Sequence, residues 1–312
     1  MSYFSEFRDS GRLSRALMAG AALLGFALVA LLLISGVVLY RVISPPTAGG
    51  ELSPETLLGR PTVISFTSPA GPSEGWFFPG RSTAPTIILC HGYLSNREEL
   101  LTLVTALQEH QYNVFVFDFS GHGRNKRFTT LGYHETQELL AAISAVATRP
   151  DVDRTRFGVW GTSLGAYAAA SAATSDIRIR AIALDSVYDD PMDMLDQLVQ
   201  RSGLNVLPFT PTLCRWTFRL MNFSARKTPP LSARLPAMPG VAKLFVLAND
   251  NRALAQSTAK LFQTAAGPRQ QINVSKSNYG AMSSDDKHTY EDAIVPFFLQ
   301  YLPITAGPLP AK

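Results

Sequence analysis

The sequence predicts an α/β protein, a mostly parallel central sheet with helices on both faces, carrying a lid-like insertion and preceded by one transmembrane helix. Three observations lead there. Short apolar runs alternate with helix-forming segments along most of the chain. One of those runs breaks at Gly161-Thr162-Ser163-Leu164-Gly165 and passes directly into an Ala-rich segment. Finally, residues 16–40 contain no charged side chain.

The uncharged run is long enough, at about 1.5 Å of rise per helical residue, to cross a hydrocarbon core of roughly 30 Å. A cleaved signal peptide has a shorter apolar region and a small-residue cleavage site, whereas this run leaves through Arg41, Ser44, Pro45 and Pro46. An uncleaved anchor is therefore expected. Arg8, Arg12 and Arg15 precede it and only Arg41 closely follows, so the positive-inside bias places the N-terminus in the cytoplasm and the bulk of the chain outside. The expected organisation is a cytoplasmic tail over 1–15, the span over 16–40, a linker over 41–60, one domain over 61–302 with an insertion over 186–241, and a tail over 303–312. The domain is of a size that closes around a single core.

Thr62 to Phe66 and Gly75 to Phe78 read as an opening antiparallel pair around the turn-rich Ser68-Pro69-Ala70-Gly71-Pro72. Thr86 to Cys90 reads as a buried strand, Arg97 to His110 as an amphipathic helix, Asn113 to Phe117 as a strand and Thr136 to Thr148 as a helix. The strand ending at Ser163 and its helix follow, then a strand over Ile179 to Leu184. Lys243 to Leu247, a helix near Leu254 to Thr264, Gln271 to Val274 and a helix over Tyr290 to Tyr301 complete the series. Between Asp185 and Val241 the alternation stops. That stretch holds Met192, Leu195, Leu198, Phe209, Trp216, Phe218 and Phe223, too many apolar side chains for a solvated loop, and reads as a lid or as helices covering the sheet edge.

The charge balance narrows the function classes. A net charge of +4 over 312 residues, with no basic run, gives no support for nucleic-acid binding. Cys90 and Cys214 are the only cysteines and read as free, buried thiols.

A G-x-S-x-G segment between a strand and a helix is the sequence of a nucleophile elbow. The sharp turn strains the serine backbone, and the glycines stand where a β-carbon would strike neighbouring backbone. The helix that begins there aims unpaired N–H groups and its positive dipole end at the serine, favouring an oxyanion. Ser163 is thus the expected nucleophile for acyl transfer. The strand ending in His91-Gly92 turns so that the N–H of Tyr93 joins that of Leu164 as an oxyanion hole. His91 reads as a structural residue of that loop. His122, in Asp118-Phe119-Ser120-Gly121-His122-Gly123-Arg124, reads as part of a scaffolding turn, and His110 and His134 as exposed.

Taken together, the His-Gly loop, the D-x-S-G-H-G turn, the elbow and the order of elements resemble the α/β-hydrolase fold superfamily. Gly75-Trp76-Phe77-Phe78-Pro79-Gly80 ahead of Ile87 to Tyr93 looks like its membrane-anchored, Bem46-like and serine aminopeptidase-like branch. The resemblance covers Pro61 to Leu302 and implies a serine hydrolase with an acid and then a histidine downstream of the serine, and with no metal or organic cofactor. It points to His288, the only histidine after Ser163, as the base just ahead of the last helix. The acid turn departs from the pattern: Leu247-Ala248-Asn249-Asp250-Asn251-Arg252 lacks the usual glycine and has Asn251 where an aspartate is common. Asp250 is the expected acid, as the only carboxylate in the turn, with Asp185 as the alternative.

These readings lead to the expectation of a membrane-tethered serine hydrolase acting on a carboxylic ester or thioester, small or lipid-like, through an acyl-enzyme on Ser163. An amidase or peptidase would use the same residues. A hydrolase-fold protein that has lost efficient catalysis and binds a ligand is the reading from a different class.

Overall fold

The computed structural model describes residues 3–46, 61–204, 207–225 and 227–304, with the side chains of 3–13 outside that description. Residues 47–60 of the expected linker and 305–312 of the expected tail lie outside the described residues. The described chain divides into two compact units: Met1–Val42 with Leu195–Phe223, and Ile43–Met194 with Ser224–Lys312.

In the larger unit the strands are β1 (Thr62–Ser68), β2 (Gly71–Phe78), β3 (Thr86–Cys90), β4 (Asn113–Phe117), β5 (Phe157–Thr162), β6 (Ile179–Asp185), β7 (Ala242–Ala248) and β8 (Arg269–Val274). They form one sheet in the order β1-β2-β4-β3-β5-β6-β7-β8. β1 and β2 make the predicted hairpin and β2 pairs antiparallel with β4, while every pair from β4 to β8 is parallel. β3, β4 and β5 are buried along their whole length, as parallel strands covered on both faces must be. A core of Leu, Ile, Val and aromatic residues from these strands, from the last helix and from the turn before it, among them Trp160, Tyr279, Tyr290 and Phe298, fills one face.

The N-terminal helix α1 runs over Tyr3–Ile43, and its segment Ser14–Ile43 is long and apolar enough to cross a membrane. The sheet helices are α2 (Leu101–Glu109, entered through a 3-10 turn at Arg97–Leu100), α3 (Tyr133–Val146) and α4 (Leu164–Ala173). The insertion contributes α5 (Pro191–Arg201) and α6 (Thr210–Met221), and the C-terminal part α7 (Arg252–Thr264) and α8 (Ser284–Tyr301). The insertion is pinned at its root: Asp189 accepts from the Ser232 N–H at 2.7 Å and from its hydroxyl at 2.8 Å, and the Asp189 carbonyl accepts from Leu231 N–H at 3.0 Å.

The last helix starts six residues before the expected Tyr290. Ser283 caps it by accepting from the Asp286 N–H at 3.2 Å, and Asp285 and Asp286 sit in the first turn, where the helix dipole favours negative charge. His288 is therefore inside the helix and not in a loop ahead of it.

Candidate active site

Ser163 occupies the turn between β5 and α4 with φ 49° and ψ −105°, a conformation that costs a non-glycine residue of order 1–3 kcal/mol. The flanking glycines make the turn possible. A β-carbon on Gly161 would collide with the backbone of Gly165, and one on Gly165 with the Cys90 and His91 carbonyls. Ser163 N–H donates to the Asp185 carbonyl at 2.8 Å, tying the elbow to the end of β6. Leu164 opens α4, so its amide is among those with no intrahelical acceptor.

The His91-Gly92-Tyr93 loop lies against the elbow. A β-carbon built on Gly92 would stand 3.1 Å from Thr162 Cγ2 and 3.8 Å from Ser163 Cβ. His91 holds this loop from within: its Nδ1 donates to the Gly92 carbonyl at 2.8 Å and its Nε2 accepts from Phe119 N–H at 3.0 Å. With both ring nitrogens engaged the imidazole is neutral, and burial takes its pKa down to about 4. His122 is equally buried, bonded through Nδ1 to the Ser120 carbonyl at 2.9 Å and packed edgewise on Tyr93 at 5.5 Å between ring centroids. Burial, followed by the neighbouring His91, lowers its pKa to about 4 as well.

Asp185, at the end of β6, is fully buried and accepts from Tyr290 Oη at 2.7 Å and Ser186 Oγ at 2.8 Å. Tyr290 in turn accepts from Trp160 Nε1 at 3.0 Å. Burial raises the Asp185 pKa to about 7, partly opposed by the two hydroxyl donors. Asp250 is exposed after β7, and its carboxylate takes the Ser277 N–H at 3.0 Å and the Ser277 hydroxyl at 3.2 Å. The Ser277 carbonyl accepts from Thr162 Oγ1 at 3.4 Å, so Asp250 reaches the residue before the nucleophile through one intermediary. Asn251, which stands where the family pattern has its aspartate, is used as the cap of α7, accepting from Leu254 N–H at 3.2 Å.

His288 points to solvent. Its side chain is 80 % exposed, and its Nδ1 lies 3.6 Å from Glu291 Oε2 in an i, i+3 pair. Among the described residues no hydrogen bond joins His288 to Ser163, Asp250 or Asp185. The structure brings together the elbow, the His91–Tyr93 loop and Asp185, places Asp250 one residue removed, and leaves His288 outside that set. Tyr290 and Ser277 are site residues that sequence reasoning missed.

Elsewhere, a cleft of about 830 Å³ opens between the β1–β2 hairpin and the loop after β4. Its cations are largely spent within the protein: Arg97 pairs with Glu74 and Asp118, and Arg127 bonds to Pro72, Ser73 and Ser120. Among the described residues no group of three or more His, Cys, Asp or Glu side chains is placed to hold a metal ion.

The chain superposes on the Pyrococcus furiosus esterase Pf2001 with a TM-score of 0.65 at 18 % identity, covering 84 % of this chain and 99 % of that one. The protein has the α/β-hydrolase fold. A second hydrolase-fold structure, the esterase domain of a Rhodothermus marinus protein, aligns with a TM-score of 0.55 at 16 % identity over 77 % of this chain and 98 % of that one. The sequence family described as alpha/beta hydrolase fold matches residues 85–224, which span the His91–Tyr93 loop, the elbow and Asp185. Among sequence relatives, the uncharacterized protein YfhR of Escherichia coli strain K12 is 33 % identical over 149 residues, 45 % of this chain and 52 % of that protein. The uncharacterized Rv2307c of Mycobacterium tuberculosis is 32 % identical over 157 residues, 46 % of this chain and 53 % of that protein. The chain thus spans about half the length of the curated relatives it matches.

Proposed function

We propose that this hydrolase-fold protein is a membrane-anchored serine hydrolase of carboxylic esters or thioesters, related to the Bem46-like branch. The observation that carries the reading is the strained Ser163 turn at the start of α4 with the Gly92 loop packed beside it. A serine held in a strained turn at a helix start, beside a glycine loop, suits a nucleophile next to an oxyanion site.

In this mechanism Ser163 Oγ attacks the acyl carbonyl and its proton passes to His288, while the oxyanion is held by the N–H groups of Tyr93 and Leu164. Losing one such donor typically costs about 10²- to 10³-fold in rate. The alcohol or thiol leaves with the proton from His288, and water, activated by the same imidazole, releases the acid. Asp250 is the proposed acid and Asp185 the alternative. Because His288 lies within α8, exposed and paired with Glu291, the proposal includes an opening of the first turns of α8 that gives up this pair and brings the imidazole to Ser163. The anchor is read as a single span, N-terminus in the cytoplasm and catalytic domain outside.

A second reading draws on the same geometry: with His288 at the surface and Asp250 engaged by Ser277, the protein would bind a ligand without turning it over. Labelling of the detergent-solubilised full chain by a fluorophosphonate separates the two. Hydrolysis predicts a covalent adduct on Ser163, absent from Ser163→Ala and strongly slowed in His288→Ala; a chain that stays unlabelled is a binding protein.

A further inference from the structure

The smaller unit holds the least expected feature of the molecule. α6 belongs with α1, and its buried side, Cys214 and Phe218, lies one turn apart on a single helical stripe. Cys214 Sγ donates to the Ser35 carbonyl of α1 at 3.5 Å. Ser35 lies inside the apolar span, six residues or about 9 Å of helix axis short of Arg41. If α1 crosses a bilayer, whatever is bonded to Ser35 sits at the depth of the outermost acyl carbons.

On the side of α6 away from Cys214 and Phe218, Trp216 and Leu220 stand one turn apart and are 72 % and 73 % exposed, and Phe209 at the cap before the helix and Phe223 in the 3-10 turn after it are 70 % and 55 % exposed. In water such a face is an open apolar patch. Two arginines border it, Arg215, which is paired with Asp196 at 2.7 Å, and Arg219, which is exposed. An aromatic and aliphatic face bordered by arginines is the pattern of helices that lie in a membrane interface with the apolar side about 5–10 Å below the headgroups. The depth set by Ser35 falls in that range, and Leu32, Leu33 and Val37, within a turn of Ser35 on α1, are themselves exposed apolar side chains.

We infer that α6 is a second membrane element, lying in the plane of the bilayer beside α1 with Phe209, Trp216, Leu220 and Phe223 among the acyl chains and the arginines at the headgroups. This rests on the reading of α1 as membrane-spanning. An insertion rooted directly after Asp185, whose carbonyl holds Ser163, then has its tip in lipid, which suits a hydrolase of amphiphilic esters.

The chain contains three tryptophans, and Trp76 and Trp160 are buried, leaving Trp216 as the exposed reporter. The test uses the full chain in phosphatidylcholine vesicles carrying bromines near the headgroup end of the acyl chain, with iodide as the aqueous quencher. The inference predicts emission that bromolipid quenches and iodide does not, loss of that component in Trp216→Phe, and its return when Leu220→Trp is added to that variant. Quenching of Trp216 by iodide and not by bromolipid, in a chain that stays in the vesicles through alkaline carbonate, would overturn the placement of α6 alone. Release of the chain by carbonate would overturn the membrane reading of α1 and this inference with it.

Discussion

At the scale of single residues, the decisive feature was legible because its chemistry is local. A serine at positive φ between two backbone-crowded positions needs glycine on both sides, and Gly161 and Gly165 announce it. The partners of Asp185 were not legible. Tyr290 meets it across 105 residues of chain, and no pattern near either position signals a hydrogen bond over that distance. Asn251 illustrates a third case, a residue that breaks the family's acid pattern and is explained by the helix it caps. Asp185 carries a prediction in its titration. Its folded pKa, raised to about 7 by burial, exceeds the ordinary value of 3.8. The folded state therefore binds the proton more tightly, and the associated stability, present below about pH 4, is lost as pH rises toward 7. Asp185→Asn removes that loss, so its melting temperature relative to the parent is expected to climb between pH 5 and pH 8, by the equivalent of a few kcal/mol at about 1.4 kcal/mol per pKa unit. A pH-independent difference in thermal melts of the solubilised chain would refute the assignment.

At the scale of elements, the buried parallel strands β3, β4 and β5 matched their predicted spans closely, since continuous apolar runs bounded by turn residues mark them, whereas β2 begins at Gly71, inside the segment read as a turn, because its first half is part-exposed and lacks an apolar run. The final helix did not match its predicted span. Its cap, Ser283 with Asp285 and Asp286, was present in the sequence, but the apolar pattern that marks the helix begins only at Tyr290. The difference matters because it moves His288 from a loop into a helix. In the proposed mechanism the cap works against catalysis by keeping His288 at the surface. Ser283→Ala gives up a cap worth about 1 kcal/mol, which shifts the opened state by roughly fivefold. A rise in kcat of up to that size is expected in steady-state ester hydrolysis; an unchanged or lower kcat contradicts gating by the helix start.

For the whole molecule, an α/β domain behind one apolar helix was evident from composition and alternation. The division of the insertion was hidden. Leu195–Phe223 joins α1, and its bond from Cys214 to Ser35 links positions 179 residues apart, whereas the remainder of the insertion stays with the sheet. Sequence spacing carries no record of such packing between distant segments. The expected topology is checked by fusing a reporter that is active only outside the cytoplasm after Lys312; activity supports the orientation read from Arg8, Arg12 and Arg15, and a silent but expressed fusion reverses it.

The central claim is that Ser163 is a nucleophile for acyl transfer. Its most direct test is the hydrolysis of p-nitrophenyl butyrate and p-nitrophenyl octanoate by the full chain in detergent micelles, beside Ser163→Ala. The account predicts turnover by the parent chain and a rate at the micelle background in the variant; equal rates for the two on both esters would contradict it.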